Sequence, residues 1–165
     1  MNVTIRNLEV SDASYSWKLK NNKGLWKYTD CDTPLPATLE SETCAYKAML
    51  EDKKKKCFAI LADDEFVGVV KLIYIKDGSA CLSTQILRSD MWGHGIATKA
   101  LDQIIAYGFN ELGLDVIYRF INVFNVAMYK IALKQHFTVS GRSMSSQDVV
   151  RFFITKTAWK KSSIG

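Results

Sequence analysis

Two closely spaced glycines, Gly93 and Gly95, lie in the segment RSDMWGHGIAT at residues 88–98. Glycine adopts backbone angles that other residues avoid, and it lets successive N–H groups approach a bulky anion without a Cβ in the way. At the start of a helix these N–H groups have no partner within the helix and the helix dipole is positive, so backbone alone can hold a diphosphate. The segment therefore predicts a phosphate-binding loop, in which His94 contributes its backbone N–H rather than its imidazole.

Neither of the two best-known phosphate loops fits this segment. A dinucleotide-binding loop has a third glycine and lies in a parallel βαβ unit, whereas Thr98 occupies the third place here. A Walker loop requires Gly-Lys-Ser/Thr, which the sequence lacks. A glycine pair before a helix is also compatible with an ordinary turn. The loop by itself therefore does not identify its ligand.

The loop is followed by the strongest helical pattern in the chain. Apolar residues recur at helical spacing over residues 96–112, and Gly113 ends the pattern as a C-terminal glycine does. Before the loop, β-rich stretches at residues 57–62, 66–75 and 80–87 are separated by short polar turns, which predicts an antiparallel meander. The order of elements is β-α-α-β-β-β-α-β-α-β-β. The remaining predicted strands are residues 3–8, 116–123, 137–140 and 149–155. The remaining predicted helices begin near Ser11, run over residues 38–50, and run over residues 127–135 with Asn125 as the N-cap.

The composition is that of an ordinary soluble globular protein, with 48% hydrophobic and 24% charged residues. The length fits a single domain over residues 1–165. No apolar run approaches the roughly 18–20 residues of a membrane span, and the first residues do not resemble a signal peptide, so we expect a cytoplasmic protein with no membrane partner. The four cysteines include no C-x-x-C pair, so no metal site is expected.

The formal net charge of +5 favours anionic ligands, but it does not choose among nucleic acid, an acidic protein and a phosphate-rich cofactor. The one dense run of lysines, residues 53–56, follows a predicted helix and is interpreted as its solvated end. The chain has neither a basic stripe nor an aromatic RNA-binding motif. Nucleic acid is therefore not expected as a partner.

The motifs in and after the loop resemble one superfamily. The loop pattern of the GNAT acyl-CoA N-acyltransferases is Gln/Arg-x-x-Gly/Ala-x-Gly/Ala, and residues 92–97 read WGHGIA, with Trp92 in the first position. Residues 125–137, NVAMYKIALKQHF, are similar to the family's Asn-x-x-Ala/Ser helix that ends in Gly-Phe. The longer form WGHGIATKAL resembles the branch that includes the ribosomal-protein N-terminal acetyltransferases.

This resemblance implies an α/β (α+β) fold, with a central mixed, mostly antiparallel twisted sheet of six to seven strands flanked by about four helices. It also implies that acetyl-CoA donates its acetyl group to a primary amine, by direct attack in a ternary complex. The implied cofactor-binding residues lie at the end of the last meander strand, in the loop and before the later helix: Ile86, Leu87, Trp92, Gly93, His94, Gly95, Ile96, Ala97, Thr98 and Asn125.

One catalytic position departs from the family pattern. Many members carry a tyrosine seven residues after the asparagine, which protonates the departing thiolate, but Ala132 occupies that place. Tyr129 lies about one helical turn earlier and is the candidate substitute. The family places a backbone donor for the oxyanion on the strand before the loop, where Thr84 and Gln85 are candidates for orienting water. His136 replaces the glycine of Gly-Phe and is expected to be a surface histidine.

The resemblance places the acceptor site on the first two helices and the loop between them. Trp26, Tyr28 and Asp32 are the candidate substrate-binding residues there, because aromatic and acidic side chains suit an amine. The acceptor itself is open between a protein N-terminal amine and a small-molecule amine. Residues 17–26 resemble the start of enzymes that acetylate amino-sugar nucleotides, which adds a third acceptor class. Ala132 leaves a catalytically silent CoA-binding module as a further alternative, and a homodimer is a hypothesis without a specific sequence signal.

Overall fold

The computed structural model describes residues 1–28, 36–142 and 148–162. Within these residues the strands are β1 (Val3–Asn7), β2 (Lys56–Ala62), β3 (Glu65–Lys76), β4 (Ser79–Ile86), β5 (Val116–Asn122), β6 (Thr138–Arg142) and β7 (Val149–Thr155). They form one seven-stranded sheet in the order β1-β2-β3-β4-β5-β7-β6. The helices are α1 (Ala13–Lys20), α2 (Leu39–Glu51), α3 (Ile96–Asn110), α4 (Val126–Lys134) and α5 (Lys156–Ser162).

The turns of the meander follow from their residues. Asp63 and Asp64, between β2 and β3, have φ angles of 48° and 67°, and Asp77 and Gly78, between β3 and β4, have 48° and 73°. Left-handed angles at both central residues suit the twist of a tight hairpin, and aspartate and glycine tolerate them. The antiparallel pairing of β2, β3 and β4 confirms the predicted meander.

The pairing of β4 with β5 is the one parallel contact in the described sheet, and it is short. Only Ser79, Ala80 and Cys81 of β4 pair with β5, opposite residues 116–118. Both strands continue beyond this contact without pairing to each other, β4 to Ile86 and β5 to Asn122. They therefore diverge, and we call the space between residues 82–86 of β4 and 119–122 of β5 the strand gap.

Helices cover the sheet on two faces. On one face, which we call the α3 face, apolar residues of α3 and α4 pack with Leu72, Leu82 and Ile117 of the strands. On the other, the α1–α2 face, Tyr46 of α2 packs with Ala59 and other strand residues in a smaller cluster. Since successive side chains of a strand point to opposite faces, each strand position can be assigned to one of these two layers.

The sequence did not predict α5, so the expected count of about four helices becomes five among the described residues. This seven-residue helix has one large apolar anchor, Trp159, whose ring lies 5.3 Å from that of Phe109 on α3. So short a segment offers too few apolar repeats to produce a helical pattern. No helix in the described residues has the length and apolar character that crossing a bilayer requires.

Both ends of α4 are closed by specific hydrogen bonds. As predicted, Asn125 caps the start, where its Oδ1 accepts from the backbone N–H of Met128 at 3.3 Å. At the other end the N–H of His136 donates to Leu133 and that of Phe137 donates to Ala132, both at 3.0 Å. These two bonds form a Schellman motif, which requires a left-handed residue after the helix. The φ angle of His136 is accordingly 63°, and its side chain is exposed as expected.

We expect His136→Gly to raise the free energy of unfolding by about 0.5–1 kcal/mol. The substitution removes a left-handed penalty of about 1–2 kcal/mol, part of which is offset by the greater backbone freedom of glycine in the unfolded chain. Denaturant unfolding of the two proteins measures the difference. His136→Ala is the matched control, because it also removes the imidazole but keeps the Cβ, and it should be no more stable than the wild type. Equal stabilisation by both substitutions would contradict this explanation.

Candidate active site

The loop before α3 adopts the conformation that its glycines predict. The φ angles of Gly93 and Gly95 are 81° and 77°, both in the left-handed region. A Cβ added at either position would meet no heavy atom within 4 Å, so the backbone conformation, rather than crowding by the protein, is what calls for glycine. Gly95 is the N-cap of α3 and no side chain caps this helix. The first N–H groups of α3 are therefore without a side-chain cap, as an anion site at a helix start requires.

Trp92 connects this loop to the end of β4. Its indole Nε1–H donates to the backbone carbonyl of Ile86 at 3.0 Å, while 48% of the residue stays exposed. His94 is also engaged inside the loop, since its Nδ1 lies 3.0 Å from the carbonyl oxygen of Trp92. That the backbone N–H of His94 binds a ligand stays a prediction. The tryptophan that departs from the family pattern thus serves as an anchor.

Arg88 and Ser89 fix the base of the loop from two other sides. The Arg88 guanidinium bonds to Asp90 at 2.6 Å and to Glu65, beside the β2–β3 turn, at 3.2 Å. This exposed ion pair lowers the pKa of the Asp90 carboxyl, chiefly through its hydrogen bond to Arg88. The Ser89 hydroxyl accepts from the side-chain amide of Asn22, just after α1, at 2.9 Å. The loop is therefore held to the sheet and to the first helix at once.

On β4, the predicted residues Thr84 and Gln85 lie beside the strand gap and are half-buried. The Oγ1 of Thr84 is buried and has no hydrogen-bond partner among the described residues. Alternation from Leu82, a core residue of the α3 face, assigns Thr84 to that face. A hydroxyl left without a partner at this point fits the predicted role of holding water or a ligand.

The candidates on α4 are positioned by packing. Asn125 commits its Oδ1 to the helix cap, so its amide N–H₂ is the part left for a ligand. The Tyr129 ring contacts Phe152 of β7 edge to face, with centroids 4.9 Å apart, and its hydroxyl has no hydrogen bond within the described residues. Ala132, where many family members carry a tyrosine, is fully buried. The proposed roles of Asn125 and Tyr129 stay predictions.

The acceptor candidates are dispersed. The indole N–H of Trp26 donates to the carbonyl of Lys20 at 2.8 Å, so this group closes the end of α1. Tyr28 is exposed, with the Lys27 ammonium 5.3 Å from its ring centre. Asp32 lies outside the described residues. Glu42 of α2 is buried and bonded to Ser16 and Lys20.

Sequence reasoning missed Arg119 on β5, which is only 4% exposed. Its Nε and Nη1 have no hydrogen-bond partner among the described residues. The signal was present in the strand VIYRFIN, where a charged residue interrupts an otherwise apolar alternation. Among the described residues, no three or more His, Cys, Asp or Glu side chains are grouped so that they could hold a metal ion.

Comparisons with known proteins agree with this fold. Residues 2–138 match the family described as an acetyltransferase (GNAT) domain. The spermidine N(1)-acetyltransferases of Escherichia coli K12 and O157:H7 are each 30% identical to the chain over 143 residues, which cover 86% of this chain and 76% of theirs.

Among solved structures, the Vibrio cholerae spermidine N-acetyltransferase in complex with CoA and spermine superposes with a TM-score of 0.85 at 23% identity, covering 96% of this chain and 98% of that one. A Methanocaldococcus jannaschii domain gives a TM-score of 0.77 at 13% identity, covering 93% and 98%. Such likenesses describe the fold, whereas the family match and the Escherichia coli relatives carry the classification. This chain belongs to the GNAT family of acetyltransferases.

Proposed function

We propose that this chain transfers the acetyl group of acetyl-CoA to a primary amine of a polyamine such as spermidine. The observation that carries the transfer reaction is the loop with left-handed Gly93 and Gly95 at the uncapped start of α3, anchored to β4 beside the strand gap. Backbone N–H groups there take the diphosphate of CoA without a charged side chain. The predicted cofactor-binding residues 86–87 and 92–98 surround this one position, with Asn125 as a further candidate on α4.

The strand gap suits the rest of the donor. Beyond Cys81, β4 has lost its neighbour on the β5 side, so its backbone N–H and C=O groups on that edge are open to an extended ligand. A backbone N–H near residues 84–87 is then available to the carbonyl oxygen of the thioester. A single donor of this kind contributes about 2.7–4 kcal/mol to the stabilisation of an oxyanion.

The acceptor must reach the thioester as a neutral amine. An alkyl ammonium has a reference pKa of about 10.4, so water or a base must remove its proton at neutral pH. The half-buried Thr84 and Gln85 are the candidates for holding that water, and Tyr129 is the candidate acid on α4. The reaction that the family resemblance implies is a direct attack in a ternary complex.

A polyamine acceptor is favoured by the Escherichia coli relatives, which are spermidine N(1)-acetyltransferases and match 86% of this chain. Such an acceptor carries several ammonium groups, and Asp32 is the candidate to bind one of them, with Trp26 and Tyr28 beside it in sequence. A protein N-terminal amine stays an alternative on the basis of the WGHGIATKAL resemblance alone.

A second candidate acceptor, an amino-sugar nucleotide, is favoured by a different observation. Lys71 of β3 lies on the α1–α2 face and is paired in register with Ser83 of β4. Burial lowers the pKa of its ammonium, and Lys20 lies on the same side of the sheet. Since Glu42 and Lys20 are paired with each other, Lys71 remains as a cation on the described part of this face, and a cation suits the phosphates of a nucleotide better than an ammonium.

Spermidine should be the best acceptor when CoA release is followed with a thiol reagent. We expect its kcat/KM to exceed by about tenfold or more the values for a peptide with a free N terminus and for an amino-sugar nucleotide, a difference of about 1.4 kcal/mol in transition-state binding. A fully N-methylated polyamine, which keeps the charges but cannot be acylated, is the matched control. If the nucleotide or the peptide is turned over faster, that compound is the acceptor and the polyamine proposal is wrong. If no amine causes CoA release, the catalytically silent CoA-binding module is favoured.

Gly95→Asp should weaken acetyl-CoA binding by placing a carboxylate against the phosphates. Like charges about 4 Å apart repel by roughly 1–4 kcal/mol near a protein surface, so the KM for acetyl-CoA should rise about tenfold or more. Gly95→Asn is the matched control, since asparagine has nearly the same shape, no charge and a similar tolerance of the left-handed region. An acid at a helix N-cap is favourable for folding, so Tm should not fall in the aspartate variant relative to asparagine. Equal KM values for the two variants would mean that the diphosphate lies elsewhere.

Trp92→Phe should loosen the loop without emptying the site. The change removes the indole N–H that bonds to Ile86 and keeps an aromatic ring, at a cost of about 0.5–1.5 kcal/mol for one hydrogen bond. We expect the KM for acetyl-CoA to rise by about three- to tenfold while the KM for the amine stays within about twofold. Steady-state kinetics with each substrate varied in turn separates the two effects. A change confined to the amine would contradict the role of Trp92 as an anchor of the phosphate loop.

A further inference from the structure

Arg119 is a buried cation for which the described chain supplies no counter-charge. It lies in β5 between Ile117 and Ile121, both core residues of the α3 face, and it is 4% exposed. Neither Nε nor Nη1 has a hydrogen-bond partner among the described residues, and no described carboxylate forms an ion pair with the guanidinium. Burying an unpaired charge costs several kcal/mol. Such a group suits a site that an anion enters during the reaction.

The charge persists despite this environment. Burial lowers the pKa of the Arg119 guanidinium to about 10, which leaves it protonated at neutral pH. The titratable group whose charge acts on it is the Cys81 thiol of β4. The register partner of Arg119 on β7 is the uncharged Phe152, against which Tyr129 of α4 packs. From the opposite face of the sheet, Arg151 acts on Cys81 and covers the ring of Tyr118.

The position of Arg119 in the sheet connects it with the reaction. The last paired residues of β4 and β5 are Cys81 and Tyr118, so Arg119 is the first residue of β5 after the strands part. It therefore lies at the closed end of the strand gap. The phosphate loop is at the open end, beyond Ile86, five residues or about 17 Å along β4 from Cys81. A cofactor held by its diphosphate at the loop would extend its thioester arm along β4 toward Arg119.

Thr84 adds a second observation on the same face of the strand gap, two residues further along β4 than Leu82. Its buried Oγ1 is without a hydrogen-bond partner in the described residues, and it lies on the α3 face, as Arg119 does. The two side chains belong to the two strands that border the gap. Two buried donors without acceptors on facing strands indicate that a ligand with polar atoms completes this space.

A thiol in this region responds to the arginine. Burial raises the pKa of the Cys81 thiol to about 11, and the positive charge of Arg119 opposes that rise more strongly than any other charge. Cys81 lies on the α1–α2 face by alternation with Leu82, so the charge of Arg119 acts across the sheet at the closed end of the strand gap.

The family's usual acid is also missing on this face. Many members place a tyrosine where this chain has Ala132, and Ala132 is fully buried against the same core as Ile117 and Ile121. Without an acid at that position, the thiol leaves as a thiolate unless another group protonates it. A thiolate with a conjugate-acid pKa near 8.5 is a tolerable leaving group if a cation lies beside it.

We propose that Arg119 is a catalytic residue that binds the departing CoA thiolate, so that the step needs neither the tyrosine that Ala132 replaces nor Tyr129 as an acid. This inference rests on the proposed function. The amine nitrogen forms a bond to the acetyl carbon, and the C–S bond breaks with its electron pair on sulfur. CoA then leaves as a thiolate beside the guanidinium, while the extra proton of the amine nitrogen passes to water. No proton is transferred to the sulfur in this step.

The test is the thiol pKa of CoA bound to the protein, measured from the ultraviolet absorbance of the thiolate during a pH titration of the complex. An opposite charge nearby lowers an acid's pKa by about 1–3 units, so bound CoA should ionise at least about one unit below free CoA. S-methyl-CoA, whose sulfur cannot ionise, provides the background from the protein's own cysteines and tyrosines. Arg119→Met removes the charge at similar length, and Arg119→Lys is the matched control that keeps it.

In Arg119→Met the thiol pKa should return to that of free CoA or above, and kcat should fall by about 10- to 100-fold with the KM for acetyl-CoA within about threefold. Arg119→Lys should retain most of the pKa depression. If the methionine variant does not fold, the titration of the wild-type complex decides. A thiol pKa of bound CoA equal to or above that of free CoA would overturn the inference about Arg119. Binding of acetyl-CoA in the same experiment would still support the proposed function. Failure of the wild type to bind CoA at all would overturn both.

Discussion

The separation of β4 from β5 is the constraint on which the site depends. Parallel pairing holds for only three residues of each strand; beyond it β4 stays paired with β3 and β5 with β7, but the two are no longer paired with each other. Because α3 makes the crossover between these two strands, its first turn is placed beside the open end of the gap they leave. An edge of unpaired backbone, a set of helix N–H groups and a buried guanidinium are thereby brought to one place, although they come from three different elements.

The loop that joins β4 to α3 is held in place by contacts that reach well outside it. Trp92 returns to the last residue of β4, Arg88 reaches the β2–β3 turn, and Ser89 is bonded to Asn22 after α1. Left-handed glycines would otherwise make this segment adaptable, since glycine loses more conformational freedom on ordering than any other residue. Anchors on three sides keep the N–H groups oriented before a ligand arrives, so less ordering remains to be done on binding.

The described interior also contains polar groups that folding alone does not explain. Arg119 and the Thr84 hydroxyl are buried without partners, whereas other buried polar groups such as Glu42 and Asp12 are bonded to basic side chains. Groups like Glu42 stabilise the contact between α1, α2 and the chain around them. Groups like Arg119 destabilise the ligand-free fold, which is the pattern expected where a site is prepared for charge that develops during a reaction.

Local signals in the sequence determined the glycine loop, the long helix after it, the meander turns and the cap at Asn125, because periodicity and turn chemistry act over a few neighbouring residues. The exposure of His136 was also expected from the sequence, whereas its left-handed conformation was seen only in the structure. Tertiary structure decided what depends on packing between elements. This includes the point where β4 and β5 part, the bond from Trp92 to Ile86, the bonds of Trp26 and Glu42 to Lys20, and the formation of α5. Arg119 shows the difference most clearly. In sequence it is one charge in an apolar strand, and only the packing of α3 and α4 over that strand buries it without a partner.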